Sequence, residues 1–174
     1  MGCHIWFSVP YKTDKDEIAE IAQSYLNETE YLSESNKEMY QYAIDCRLID
    51  PVCELAINAL HCSRHDEWVI YKDAIEYNIE KYNEEHRTSI HRYDSDAIYK
   101  AGIETYSDEP RIGGYPENII RSYEEMMEFM STGFDSDDGD VHYDFYYEED
   151  RFDFIQKNIK KFFDTHPNGI ITFG

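Results

Sequence analysis

The chain has 174 residues, 41% of them apolar and 16% aromatic, which suits one domain with a substantial core. Its 37 Asp and Glu against 16 Lys and Arg leave a formal net charge of −21, far beyond the magnitude of about 2–8 usual for a small domain. That balance argues against direct binding to nucleic acid or an anionic membrane, which both rest on basic patches, and favours a cationic partner.

The acidity is no appended tail, because the halves on either side of Arg87 carry similar excesses, about −10 and −11. No run approaches the ~20 apolar residues of a membrane span, and the N-terminus lacks the basic flank and apolar region of a signal peptide. The four cysteines, at 3, 46, 53 and 62, therefore read as reduced thiols of a cytoplasmic protein rather than as a disulfide framework.

A first strand is expected over 3–9, with Ile5, Phe7 and Val9 on one face and His4, Trp6 and Ser8 on the other. Cys3 reads as part of that strand. Myristoylation favours Ser or Thr at the sixth position, which here is Trp6, and Gly2 would still precede Cys3 after loss of Met1. Thr13 and Asp16 resemble a capping box that opens a helix with Ile18, Ile21, Ala22, Tyr25 and Leu26 as its stripe. Ser35 and Glu38 form a second box, ahead of a helix with Met39, Ala43 and Cys46 inward.

The stretch 51–62, PVCELAINALHC, is the most apolar in the chain. Asp50 can cap its first turn and Pro51 suits the first helical position. Only Glu54, Asn58 and His61 interrupt it, so it is expected as a buried central helix. His61, Cys62, His65 and Asp66 follow as the one tight cluster of metal-ligand residue types. On a helix, His61 and His65 would share a face, although zinc needs three or four ligands and no C-x-x-C or H-E-x-x-H completes the set. His65-Asp66 resembles the metal-binding His-Asp pair of HD-type phosphohydrolases. That resemblance covers two residues, and the upstream helix histidine it implies has no counterpart between His4 and His61.

A long helix is expected over 67–86 and a shorter one over 95–103, capped by Asp94 or Ser95. The loop 106–115 has a Gly113-Gly114 pair but neither the phosphate-binding G-x-x-x-x-G-K-[ST] pattern nor a dinucleotide fingerprint. Pro116 and Gly133 bracket a helix over 116–131, with Ile119, Tyr123, Met126 and Met130 inward and Glu124, Glu125 and Glu128 outward. The segment 131–150 then carries eight acids and no Lys or Arg. Its Asp135, Asp137, Asp138 and Gly139 miss the EF-hand register by one residue, and no Glu stands at the twelfth position. Its interleaved Phe134, Tyr143, Phe145, Tyr146 and Tyr147 distinguish it from a plain acidic linker, since disordered acidic segments are poor in aromatics and interfaces are rich in them. A last helix is expected over 149–164, with Phe152, Ile155, Ile159 and Phe162 as its stripe. A strand over 170–173 can pair with the first.

These elements define an α+β fold: a helix-dominated single domain over 1–174 with a small sheet formed by the N- and C-terminal strands. No catalytic signature stands out, and no cofactor or metal is called for. The leading functional expectation is a non-enzymatic acidic protein that mimics nucleic acid and inhibits a nucleic-acid-binding protein by filling its basic groove, as phage anti-restriction and anti-CRISPR proteins do. Its expected partner-binding face is Glu124, Glu125, Glu128, Asp135, Asp137, Asp138, Asp140, Tyr143, Asp144, Tyr146, Tyr147, Glu148, Glu149 and Asp150. The alternatives are a metal-dependent hydrolase using His61, Cys62, His65 and Asp66, or an acidic adaptor for a basic partner unrelated to nucleic acid.

Overall fold

The computed structural model describes residues 5–106, 119–132 and 148–173. The fold is α+β and mostly helical. Strand β1 (Ile5–Lys12) pairs antiparallel with the C-terminal strand (Ile170–Phe173), Ile5 facing Phe173 and Ser8 facing Ile170. Two middle strands, β2 (Arg64–Asp66) and β3 (Val69–Asp73), complete a sheet of order β2-β3-β1-β4, the C-terminal strand being β4. The chain divides into two compact units, Pro10–Lys72 and Met1–Val9 with Asp73–Gly174.

In the Pro10–Lys72 unit, helices α1 (Lys15–Glu28), α2 (Glu34–Asp45) and α3 (Ile49–Leu60) enclose a core of Ile18, Ala22, Leu26, Ala43, Ile44, Val52, Cys53, Leu55 and Ala56. Asp14 caps α1 by accepting from the Asp16 and Glu17 amides at 2.9 Å, and Ser33 caps α2 through Asn36. The boxes expected at Thr13 and Ser35 are thus displaced by one and two residues. The inner face of α2 is displaced too: Ala43 and Ile44 are buried, whereas Met39 and Cys46 are exposed.

Helix α3 begins at Ile49 rather than Pro51, and its N-cap Leu48 makes no side-chain bond. Pro51 is still tolerated because the first amides of a helix have no intrahelical acceptor. Nor is this helix buried all round. Glu54 and Asn58 are exposed and lie four apart, with His61 three further on, so the polar interruptions line one stripe toward water. Burial pushes the Cys53 thiol up to about 11, with Asp50 adding to the effect, which leaves it an unreactive core residue.

The largest departure from expectation lies at 64–73. The helix predicted over 67–86 starts only at Ala74, because β2 and β3 form a hairpin before it. Its two turn residues, Glu67 and Trp68, both have positive φ, 44° and 69°, the geometry that Asn-Gly usually supplies. Left-handed residues also end three helices, at Arg47, His61 and Arg87, where glycine is usual. No glycine occurs between Gly2 and Gly102, so these stops carry no glycine signal.

In the second unit, the Asp73 carboxylate caps α4 (Ala74–His86) at the Ile75 amide, 2.9 Å away. Asp94 caps α5 (Ser95–Ala101) at Ala97, 3.0 Å away. Helix α6 (Tyr123–Thr132) starts later than the predicted 116, because Ile120 instead bridges Ile171 through two backbone hydrogen bonds of 2.9 and 3.1 Å. Pro116 lies outside the described residues. The C-terminal rod comprises α7 (Glu148–Phe154), a π-helical turn (Ile155–Lys160) and α8 (Lys161–Thr165). The wider turn shifts the buried stripe: Phe154, Ile159, Phe162 and Phe163 face inward, while Phe152 is exposed.

Phe162 centres this unit's core, with its ring 5.1 Å from those of Phe7 and Tyr106 and 5.2 Å from that of Phe163. Gly169 packs against it so closely that a Cβ there would meet the Phe162 ring, with Cε1 2.8 Å away. Gly169→Ala is therefore expected to destabilise by about 1–3 kcal/mol through overpacking, read as a lower urea midpoint. Exposed His61 should respond in the opposite sense. His61→Gly relieves a left-handed side chain, and the gain is expected to be up to ~1 kcal/mol after glycine's entropy cost in the unfolded chain is subtracted; a lower midpoint for this variant would contradict the strain argument.

Candidate functional site

Helix α6 holds the described centre of the expected acidic face. Ser122 starts it, its Oγ accepting from the Glu125 amide at 3.0 Å, while Glu125 Oε2 accepts from the Arg121 amide at 2.6 Å. Met126 is fully buried and Tyr123, Met127 and Phe129 pack partly against the core. That anchoring turns Glu124, Glu125 and Glu128 to solvent. Glu124 and Glu128, four residues apart, are separated by about 6 Å of helical rise. Glu125 has a second, structural task as part of the helix cap.

Glu149 on α7 is also exposed. Glu148 and Asp150 belong to the same helix. Asp135, Asp137, Asp138, Asp140, Tyr143, Asp144, Tyr146 and Tyr147 lie outside the described residues, as does the calcium-like stretch 135–139.

Exposed carboxylates occur elsewhere among the described residues as well. Of the acids in Pro10–Lys72, all but Asp66 are exposed. Many described cations are already engaged within the chain: Lys12 with Glu17, Lys37 with Glu34, Arg47 with Asp16, Arg92 with Asp73 and Glu76, Lys157 with Asp153, and Lys161 with Glu104. Such exposed pairs add little stability. They do mute the positive surface, so the exterior potential is set by the remaining acids.

The spacing argument for a metal at His61–Asp66 does not survive the fold. His61 ends α3 in the left-handed region, and His65 and Asp66 lie on β2, so His61 and His65 share no helix face. Cys62 is buried, and His65 instead faces Asp50 at 3.5 Å. Among the described residues, no group of three or more His, Cys, Asp or Glu side chains is placed to hold a metal ion. Among them, too, no helix is long and apolar enough to cross a membrane.

The structure adds a feature that the sequence reading lacked, a cleft of about 570 Å³ beside α5, lined by Ile75, Arg92, Ile98, Tyr99, Gly102 and Glu104 among others. Arg92 enters it from the irregular stretch after α4, where no periodicity marks it. Its guanidinium is held by Glu76 at 2.9 Å and Asp73 at 3.4 Å, and the Glu76 hydrogen bond raises its pKa further. Beneath a neighbouring surface, His166 Nε2 is buried with no hydrogen-bond partner, and the buried Tyr106 hydroxyl lies beside the Asn78 and Thr165 side chains. No protein-family model matches the chain, and no curated protein and no solved structure does either.

Burial holds the Tyr106 hydroxyl at a pKa of about 12, Glu104 adding to the effect and the neighbouring Asn78 and Thr165 side chains opposing it. Burial, reinforced by Lys81, holds His166 below the ordinary 6.5. The unfolded chain then binds that proton first as pH falls. Stability should therefore decline as pH drops below about 6.5 toward the lower folded value. His166→Gln should remove this component of the slope in urea titrations across that window, and an unchanged slope would refute it.

Proposed function

We propose that this protein is a non-enzymatic, cytoplasmic acidic inhibitor that mimics nucleic acid and occupies the basic groove of a nucleic-acid-processing protein, a role of the phage anti-restriction and anti-CRISPR kind. The observation that carries this reading is a net charge of −21, with the carboxylates of the described residues nearly all exposed and many described cations neutralised within the chain. A nucleic-acid groove is built to neutralise one phosphate charge per about 1.7 Å of duplex axis. Carboxylates four apart on a helix recur every ~6 Å, so acidic helix faces and an acidic loop can present a comparable line of negative charge. Opposite charge speeds the encounter and makes binding salt-sensitive. Glu124, Glu125, Glu128 and Glu149 on α6 and α7, with the acidic segment 135–150, are the assigned contact face. An inhibitor that works by occupancy needs no catalytic group.

The test is retention of a nuclease, polymerase or related protein at low salt, elution of it by a salt gradient, and then competition with duplex DNA for that target. Mutually exclusive binding is expected, with Glu124→Lys/Glu128→Lys weakening it roughly tenfold at low salt. Simultaneous binding of DNA and this protein to one target would remove the mimic reading. A retained basic partner without nucleic-acid affinity would favour the adaptor.

A further inference from the structure

Helix α2 is apolar on two sides. Its inner side, with Ala43 and Ile44, belongs to the core. Its outer side carries Met39, Tyr42 and Cys46, spaced three and four apart and therefore on one face. Met39 and Tyr42 are 53% and 66% exposed. The chain then turns at Arg47 and presents Leu48 and Ile49, 43% and 37% exposed, at the start of α3.

This display is fixed rather than loose. The Leu48 amide donates to the Ala43 carbonyl at 2.9 Å and the Arg47 amide to the Ile44 carbonyl at 3.1 Å, a Schellman-type stop. The Arg47 guanidinium reinforces it, donating to Ile44 O at 2.8 Å and lying 3.4 Å from Asp16. Apolar side chains scattered singly over a surface are ordinary, but a group gathered around one rigid turn marks an interaction site. Around it stand Glu38, Asp45 and Asp50, all exposed. Arg47 is the single Lys or Arg between 38 and 50.

We propose that this face of α2, with the turn into α3, is a docking surface for a basic amphipathic helix, one with apolar side chains along its centre and Lys or Arg on its flanks. Charge complementarity selects that occupant. A second copy of this chain would bring the acids of both rims together across a two-fold axis, where like charges repel. The inference rests on the reading that the partner is cationic, and it adds where apolar contact is made: acidic faces govern encounter, while a packed apolar centre slows release.

The probes are two synthetic peptides of equal positive charge, a Leu/Lys amphipathic helix of about 18 residues, five turns, and an oligolysine. The full chain is labelled at its methionine methyls, and binding is followed by NMR at an ionic strength of about 0.15 M. The Leu/Lys peptide should shift Met39 and bind roughly tenfold more tightly than oligolysine. Met39→Ser/Tyr42→Ser, at exposed positions and with its circular dichroism as the check on folding, should reduce it to the oligolysine level. Equal affinity for the two peptides, or shifts at other methionines that leave Met39 unmoved, would overturn this surface while leaving the cationic-partner reading intact. Binding of neither peptide would overturn both. A Met39 signal that moves with protein concentration alone would identify a second copy as the occupant, against the proposal.

Discussion

The constraint on which this structure depends is the mutual repulsion of 37 carboxylates on a chain of 174 residues. None can enter the core without a partner, since an unpaired buried charge costs several kcal/mol, and the fold keeps nearly all of those described in water. It also places many where a helix favours them. Acids stand in the first turn of each helix from α1 to α6, and Asp14, Asp73 and Asp94 serve directly as caps. There the macrodipole and free amides stabilise negative charge. Part of the burden is thereby turned into local structure.

Two cores answer that constraint by different means. The Pro10–Lys72 unit packs small and aliphatic side chains between three helices, with Cys53 and Cys62 among them as inert fillers. The second unit gathers aromatic rings around Phe162 and relies on Gly169 to bring the chain back close enough to form β4. Its elements come from distant parts of the chain, so ring packing rather than local propensity decides where the C-terminal helix turns. The π-helical turn is one result: Phe154 and Ile159, five residues apart, both reach the core.

How far the sequence disclosed this can be judged residue by residue. Alternation at Ile5, Phe7 and Val9 revealed β1, and its pairing with β4 followed from the apolar run at the C-terminus. Helical spacing turned Glu124, Glu125 and Glu128 outward. The polar residues of α3 were read as scattered interruptions, although Glu54, Asn58 and His61 form a stripe. The hairpin at 64–73 escaped because its turn is Glu-Trp, not Asn-Gly. The face of α2 was misassigned in part because Met39 and Cys46 are apolar and yet exposed, and hydropathy alone does not distinguish a buried stripe from a displayed one. The metal reading assumed a helix continuing through His65, which the left-handed stop at His61 ends.

That stop is one of five non-glycine residues with positive φ among the described residues. The same scarcity acts on the denatured state. A chain that runs from residue 3 to residue 101 without a glycine samples fewer backbone conformations when unfolded, so it loses less entropy on ordering. The strain held at Arg47, His61, Glu67, Trp68 and Arg87 is thus offset in part by a stiffer unfolded ensemble. Compactness in this highly charged protein owes something to the state it folds from as well as to the contacts it makes.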